Sequence, residues 1–284
     1  MKPAFVLSAA DVERGYNNRA AVPDHAQWFT RWAQLSADAT ARMQPQRDLR
    51  YGPNPKETLD LFVPAGKPRG TFMFIHGGYW RALDKADHLF VAPPFIDNGY
   101  AVAVINYDLC PEVSIATIVD ECRRALAWLL RDGERHGANV RDIVVGGHSA
   151  GGHLAAMLLA TPAEALGAAR HPVAGAVSVS GVHDLRPLTL FSFNADLKLD
   201  EASAEAVSPV FFVPQSSAPV LIAVGANETS EFLRQTDLLW EAWPDNRPRG
   251  ARGPLVVPDR HHFNIVTDYA LDQSELTRST LALF

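Results

Sequence analysis

The chain has 284 residues, 47% of them hydrophobic, and a formal net charge of −6. That length supports one large core, and interspersed charges leave neither a basic stripe for nucleic acid nor a like-charge block that would mark a disordered tail. Two cysteines, Cys110 and Cys122, cannot build a disulfide framework and have no metal-site surroundings, so a reducing cytoplasm is the expected setting.

Met1 to Ala10 carries one basic residue and a short apolar run, and meets Asp11, Glu13 and Arg14 too early for a secretory signal. No apolar run reaches the length of a membrane span. Ser8-Ala9-Ala10-Asp11 has capping-box spacing with Asp in place of Glu, and Tyr16-Asn17-Asn18-Arg19 is an amide-rich break. Asp24 to Met43 places Trp28, Phe29, Trp32 and Leu35 near helical spacing. We read these aromatics as the packing face of an amphipathic helix rather than as binding groups. No linker follows, so residues 1–46 form a helical cap segment on a single domain spanning 1–284.

From Asp48 the pattern turns to strands. Residues 47–52 and 58–64 read as an antiparallel pair joined by Gly52-Pro53-Asn54-Pro55. Apolar β-branched runs follow at 71–75, 100–105, 142–146, 174–180, 219–224 and 253–257. Between them lie helical patterns at 115–136, after residue 149 and near 231, and a closing helix is expected from Ala270. Apolar strands alternating with helices predict an α/β fold: a mostly parallel sheet covered on both faces. There is no internal repeat and no low-complexity tract.

Chemistry concentrates after the strands, where sites form in open parallel sheets. Gly147-His148-Ser149-Ala150-Gly151 holds a serine between glycines at a strand-to-helix turn, the G-x-S-x-G pattern of a nucleophile elbow. His76-Gly77-Gly78-Tyr79-Trp80 follows an earlier strand and brings backbone N–H groups close to a ligand. Glu228 and then His261-His262 follow the last two strands, giving the order Ser…Glu…His. Serine needs a base, histidine can carry the proton, and a carboxylate orients the imidazole. Gly78, Tyr79 and Ala150 are the candidate oxyanion-hole donors. The residues leave His261 and His262 both open as base, with Asp184 an alternative acid to Glu228. Glu231 reads as a first-turn helix residue. His76 and His148 read as braces of the glycine loop and the elbow. No histidine spacing fits a metal site, and no cofactor is expected.

His76-Gly77-Gly78-Tyr79-Trp80 and Gly147-His148-Ser149-Ala150-Gly151-Gly152 resemble the loops of α/β-hydrolases near the hormone-sensitive-lipase-like esterases, and more narrowly the kynurenine formamidase branch. Tyr16-Asn17-Asn18-Arg19, Leu59-Asp60-Leu61-Phe62, Asn106-Tyr107-Asp108-Leu109, residues 180–188, Glu228-Thr229-Ser230-Glu231-Phe232 and His262-Phe263 extend the resemblance over nearly the whole chain. It implies an α/β-hydrolase fold with Ser149 as nucleophile, Glu228 as acid, where many relatives have Asp, and His262 as base. It also implies a serine hydrolase cleaving N-formyl-L-kynurenine to kynurenine and formate. A carboxylesterase or small-amide hydrolase is the alternative, with Leu188 to Val207, including Phe191 and Phe193, set over the pocket. A silent binding protein would lack part of this set. Tyr79 and Trp80 could restrict the acyl side or simply pack, and Asn17, Asn18 or Arg19 could hold an α-carboxylate. The expected partner is a small molecule, not nucleic acid or membrane, and a homodimer stays open.

Overall fold

The computed structural model describes residues 7–284, so the reading of Met1 to Val6 lies outside the described residues. Eight strands form one sheet: β1 (Gln46–Arg50), β2 (Thr58–Phe62), β3 (Thr71–Ile75), β4 (Ala101–Ile105), β5 (Ile143–His148), β6 (Val173–Val179), β7 (Val220–Gly225) and β8 (Leu255–Val257). Their order is β1-β2-β4-β3-β5-β6-β7-β8. β2 pairs antiparallel with β1 and β4, and every later pairing is parallel. All eight expected strands form, within a few residues of their expected ends.

Ten α-helices flank the sheet among the described residues: α1 (Ala9–Tyr16), α2 (Asn18–Ala21), α3 (His25–Met43), α4 (Ala92–Asp97), α5 (Ile115–Asp132), α6 (Ala150–Leu159), α7 (Asn194–Leu197), α8 (Glu201–Ala206), α9 (Ser230–Ala242) and α10 (Glu275–Leu281). The capping box at Ser8 and Asp11 starts α1, and Asn17 ends α1 while capping α2. Because side chains alternate across a strand, each strand feeds two cores. Met73 and Ile75 join Leu126, Leu154 and Phe232 on one face, while Phe72 and Phe74 join Trp32, Phe95 and Leu276 on the other. The two faces are thus covered by α1, α5, α6 and α9 and by α3, α4 and α10. The closing helix begins at Glu275 rather than Ala270, because Ser274 caps it after a 3-10 stretch over Ile265–Ala270. No helix among the described residues is long and apolar enough to cross a membrane.

The elbow fixes how closely the layers approach. A Cβ on Gly151 would lie 2.0 Å from the Ile75 carbonyl oxygen, and one on Gly147 would lie 2.4 Å from the Gly151 backbone. Backbone cannot yield there as a flexible side chain could. By denaturant titration, Gly151→Ala is expected to lose at least about 3 kcal/mol or to fail to fold, while Gly253→Ala should stay within about 0.5 kcal/mol. A Cβ at Gly253 would meet open space. Equal unfolding midpoints for the two variants would contradict this packing.

Candidate active site

β5 delivers Ser149 at the top of the sheet, and α6 starts at the next residue. Ser149 has φ 56° and ψ −119°, a strained conformation for a non-glycine residue. Its N–H donates to Val179 O at 2.8 Å, which ties the strained residue to β6.

The acid and base arrive on the neighbouring β7 and β8 loops. Ala226 N donates to Val257 O and Asn227 N to Arg260 O, at 2.9 and 2.8 Å, stitching the two loops together. His262 Nδ1–H then donates to Glu228 Oε2 at 2.8 Å, and Ser149 Oγ–H donates to His262 Nε2 at 3.0 Å. Ser149, His262 and Glu228 are 3%, 5% and 9% exposed, so the chain operates with little water around it. This is a Ser-His-Glu triad. The hydroxyl can pass its proton to imidazole as it attacks a carbonyl carbon, and the carboxylate stabilises the imidazolium.

His262, not its neighbour, is the base. His261 turns away: its Nδ1 accepts from Phe263 N at 3.2 Å and its ring meets Trp28 edge-on, 5.3 Å between centroids. Burial lowers its pKa. Asp184 forks with Arg186, with contacts of 3.0 and 2.8 Å, and Glu231 pairs with Arg234 inside α9. His148 braces the base loop rather than its own turn, donating from Nε2 to His262 O at 2.8 Å. Burial, with His262 and His88 nearby, holds its pKa well below the ordinary value and keeps the ring neutral. The His76 ring lies 2.8 Å from Gly77 O and stacks on Tyr107, bracing the glycine loop as expected.

That loop lies against the nucleophile: a Cβ on Gly77 would sit 3.1 Å from Ser149 Cβ. The N–H groups of Gly78, Tyr79 and Ala150 have no acceptor among the described residues. A cavity of about 60 Å³ opens over Ser149 and His262, walled by Gly78, Tyr79, Phe193 and Phe263 and, from the cap segment, Asn18 and Arg19. Phe29 and Trp32 line it too, so the aromatic face of α3 both packs and borders the site. Trp80 does not line it. Its side chain is fully buried behind the loop, with the indole N–H on His153 Nδ1 at 3.2 Å. Phe191 is buried and packs on the Tyr79 ring, leaving Phe193 as the aromatic of its segment that reaches the cavity. Among the described residues, no group of three or more His, Cys, Asp or Glu is placed to hold a metal ion.

Sequence reasoning missed Ser180. Its Oγ–H donates to Glu228 Oε1 at 2.5 Å, and Gly225 N donates to the same oxygen at 2.9 Å. These bonds aim the other carboxylate oxygen at His262. The signal was its place just past β6, the strand beside the elbow strand. Measured on p-nitrophenyl acetate, Ser149→Ala and His262→Ala are each expected to lower kcat about 10⁴-fold or more, and His261→Ala by less than about tenfold. Equal losses for the two histidines would contradict the assignment of the base. Ser180→Ala should lower kcat about tenfold, since it removes one hydrogen bond to a charged group. An unchanged kcat would mean that the Gly225 N–H positions Glu228 without help.

The BD-FAE family profile matches residues 59–243, a stretch that holds Ser149 and Glu228 and stops before His262. The kynurenine formamidases of Salmo salar and Danio rerio are 31% and 30% identical over 244 and 248 residues, covering 83% and 84% of this chain and 81% and 82% of theirs. Among solved structures, a Silicibacter sp. TM1040 protein provisionally described as a thioesterase superposes with a TM-score of 0.84 at 34% identity, covering 95% of this chain and 99% of that one. With its sheet topology, its strained serine turn and these matches, the chain belongs to the BD-FAE family of α/β-hydrolases and carries the catalytic machinery of a serine hydrolase.

Proposed function

We propose that this enzyme hydrolyses short-chain acyl esters and related activated acyl donors through an acyl-enzyme on Ser149. The observation that carries the reading is the unbroken hydrogen-bonded chain from Ser149 to Glu228 on the floor of a cavity of only about 60 Å³. Ser149 Oγ attacks the carbonyl carbon and its proton passes to His262 Nε2. The N–H groups of Ala150 and of Gly78 and Tyr79 receive the charge that grows on the carbonyl oxygen. His262 returns the proton to the leaving group, then activates water to release the acid. Tyr79 and Phe193 cap the acyl side, so acetyl and butyryl groups fit better than long chains. The description of the Silicibacter protein supports counting thioesters among the donors. The two free buried cysteines fit a reducing compartment such as the cytoplasm.

A second reading has one specific support. The curated relatives of Salmo salar and Danio rerio, alike over more than four-fifths of this chain, are kynurenine formamidases. Formyl is the smallest acyl group, and an arylamine departs only when protonated, a step His262 could serve.

The test is kcat/KM on p-nitrophenyl acetate, butyrate and octanoate, phenyl thioacetate and N-formyl-L-kynurenine. Acetate and butyrate should be turned over, with octanoate at least about tenfold slower. Failure to hydrolyse any short ester would overturn the main reading. A formamide rate far above every ester rate would replace it with the second.

A further inference from the structure

Two rings close the acyl side of the cavity, and they are held differently. Tyr79 is anchored at its tip, where its O–H donates to Tyr16 O at 2.6 Å. Phe193 is half-buried and has no polar atom to anchor. Its ring meets the Tyr79 ring edge-on, with centroids 5.5 Å apart, and the Arg81 guanidinium carbon lies over it, 4.5 Å from the ring centre. The backbone on either side is fixed. Phe191 and Leu197 are buried, and the Asn194 side chain ties residues 189–199 into one piece. That amide donates to Thr189 O at 3.1 Å and Leu199 O at 3.0 Å, and accepts from Leu199 N at 2.8 Å. Movement is therefore left to the Phe193 side chain itself.

The group lying over that ring is held in turn. Arg81 follows the glycine loop and lines the cavity, and its Nε and Nη2 both reach Asp196 Oδ2, at 2.6 and 2.5 Å. Arg81 pairs with no other acidic side chain among the described residues. Asp196 lies in α7 and does not line the cavity. The two side chains are 31% and 32% exposed, so water and salt loosen this pair as they would not loosen a buried one. One wall of the cavity thus depends on an apolar ring, a cation lying over it and a carboxylate outside that pins the cation.

We propose that Asp196 is a positioning residue for acyl selectivity: it clamps the Arg81 guanidinium over Phe193 and so keeps the acyl end of the cavity small. This rests on the short-acyl reading of Ser149. With the clamp shut, the Phe193 ring stops a long acyl chain. With it open, the Arg81 head moves into water, the ring turns to another staggered rotamer, and the chain enters.

The test is the ratio of kcat/KM on p-nitrophenyl octanoate to that on p-nitrophenyl acetate. Asp196→Ala should raise this ratio about threefold or more, mostly through KM for octanoate. Asp196→Asn should raise it less, since its amide oxygen still accepts from Arg81. Phe193→Ala should raise it further and cancel the effect of Asp196→Ala, because the clamp acts only through that ring. In about 1 M NaCl, where charges are screened within roughly 3 Å, the ratio of the native chain should rise more than that of Asp196→Ala. A ratio unchanged by Asp196→Ala, a rise equal with and without Phe193, or an equal salt response in the two proteins would overturn the clamp. Calorimetric binding of phenyl hexanoate to Ser149→Ala protein, with and without Asp196→Ala, reads the clamp without turnover. Binding about threefold tighter in the double variant supports it, and equal binding overturns it. If the native chain hydrolyses no ester, the short-acyl reading fails, while the binding comparison still decides the clamp.

Discussion

Ser149 is held at φ 56°, where a non-glycine residue carries of order 1–3 kcal/mol of backbone strain. That strain persists only because the turn is wedged. Gly151 passes so close to the Ile75 carbonyl that no side chain fits, Gly77 lies against the serine from the other side, and the Ser149 N–H is tied to β6. The result is a hydroxyl that projects above the sheet with the first N–H of α6 beside it. The chemistry depends on this wedge, because a relaxed turn would draw the oxygen down into the sheet.

The partners of Ser149 come from far along the chain, and their positions are built by the same rim. Gly225 lets the β7 loop press on Arg260, and the backbone bonds between these loops carry Glu228 to His262. Three further contacts hold the base. His148 donates to the His262 carbonyl, Trp32 Nε1–H donates to the next carbonyl at 3.2 Å, and Phe263 packs edge-on against Phe29, 5.5 Å between centroids. The N-terminal helices are thus more than a cover for the sheet. α3 pins the loop that carries the base, while Tyr79 O–H donates to Tyr16 O at 2.6 Å and ties the glycine loop to the end of α1. Moving the cap segment would disturb the base and the glycine loop together.

Much of this was legible in the sequence because parallel strands buried on both faces write themselves as continuous apolar runs. All eight strands, the capping box at Ser8 and the elbow could be read from residues alone. What escaped has common physical causes. Helical spacing of Phe29 and Trp32 reports that one face is covered, not whether protein or a cavity covers it. Trp80 follows a glycine loop, but nothing local says that its indole folds back onto His153. His261 and His262 are adjacent and alike, and only the turn after β8 decides which one faces the serine. Ser180 was overlooked because its partner, Glu228, is 48 residues away.

Ser149, His262 and Glu228 form one hydrogen-bonded unit directed at an acyl carbon. The most direct measurement is to treat the folded protein with an alkyl fluorophosphonate and locate the adduct by mass spectrometry. A single adduct on Ser149, lost in His262→Ala protein that remains folded, is the expected result. No adduct on Ser149, or labelling of Ser149 that is indifferent to the loss of His262, would contradict it.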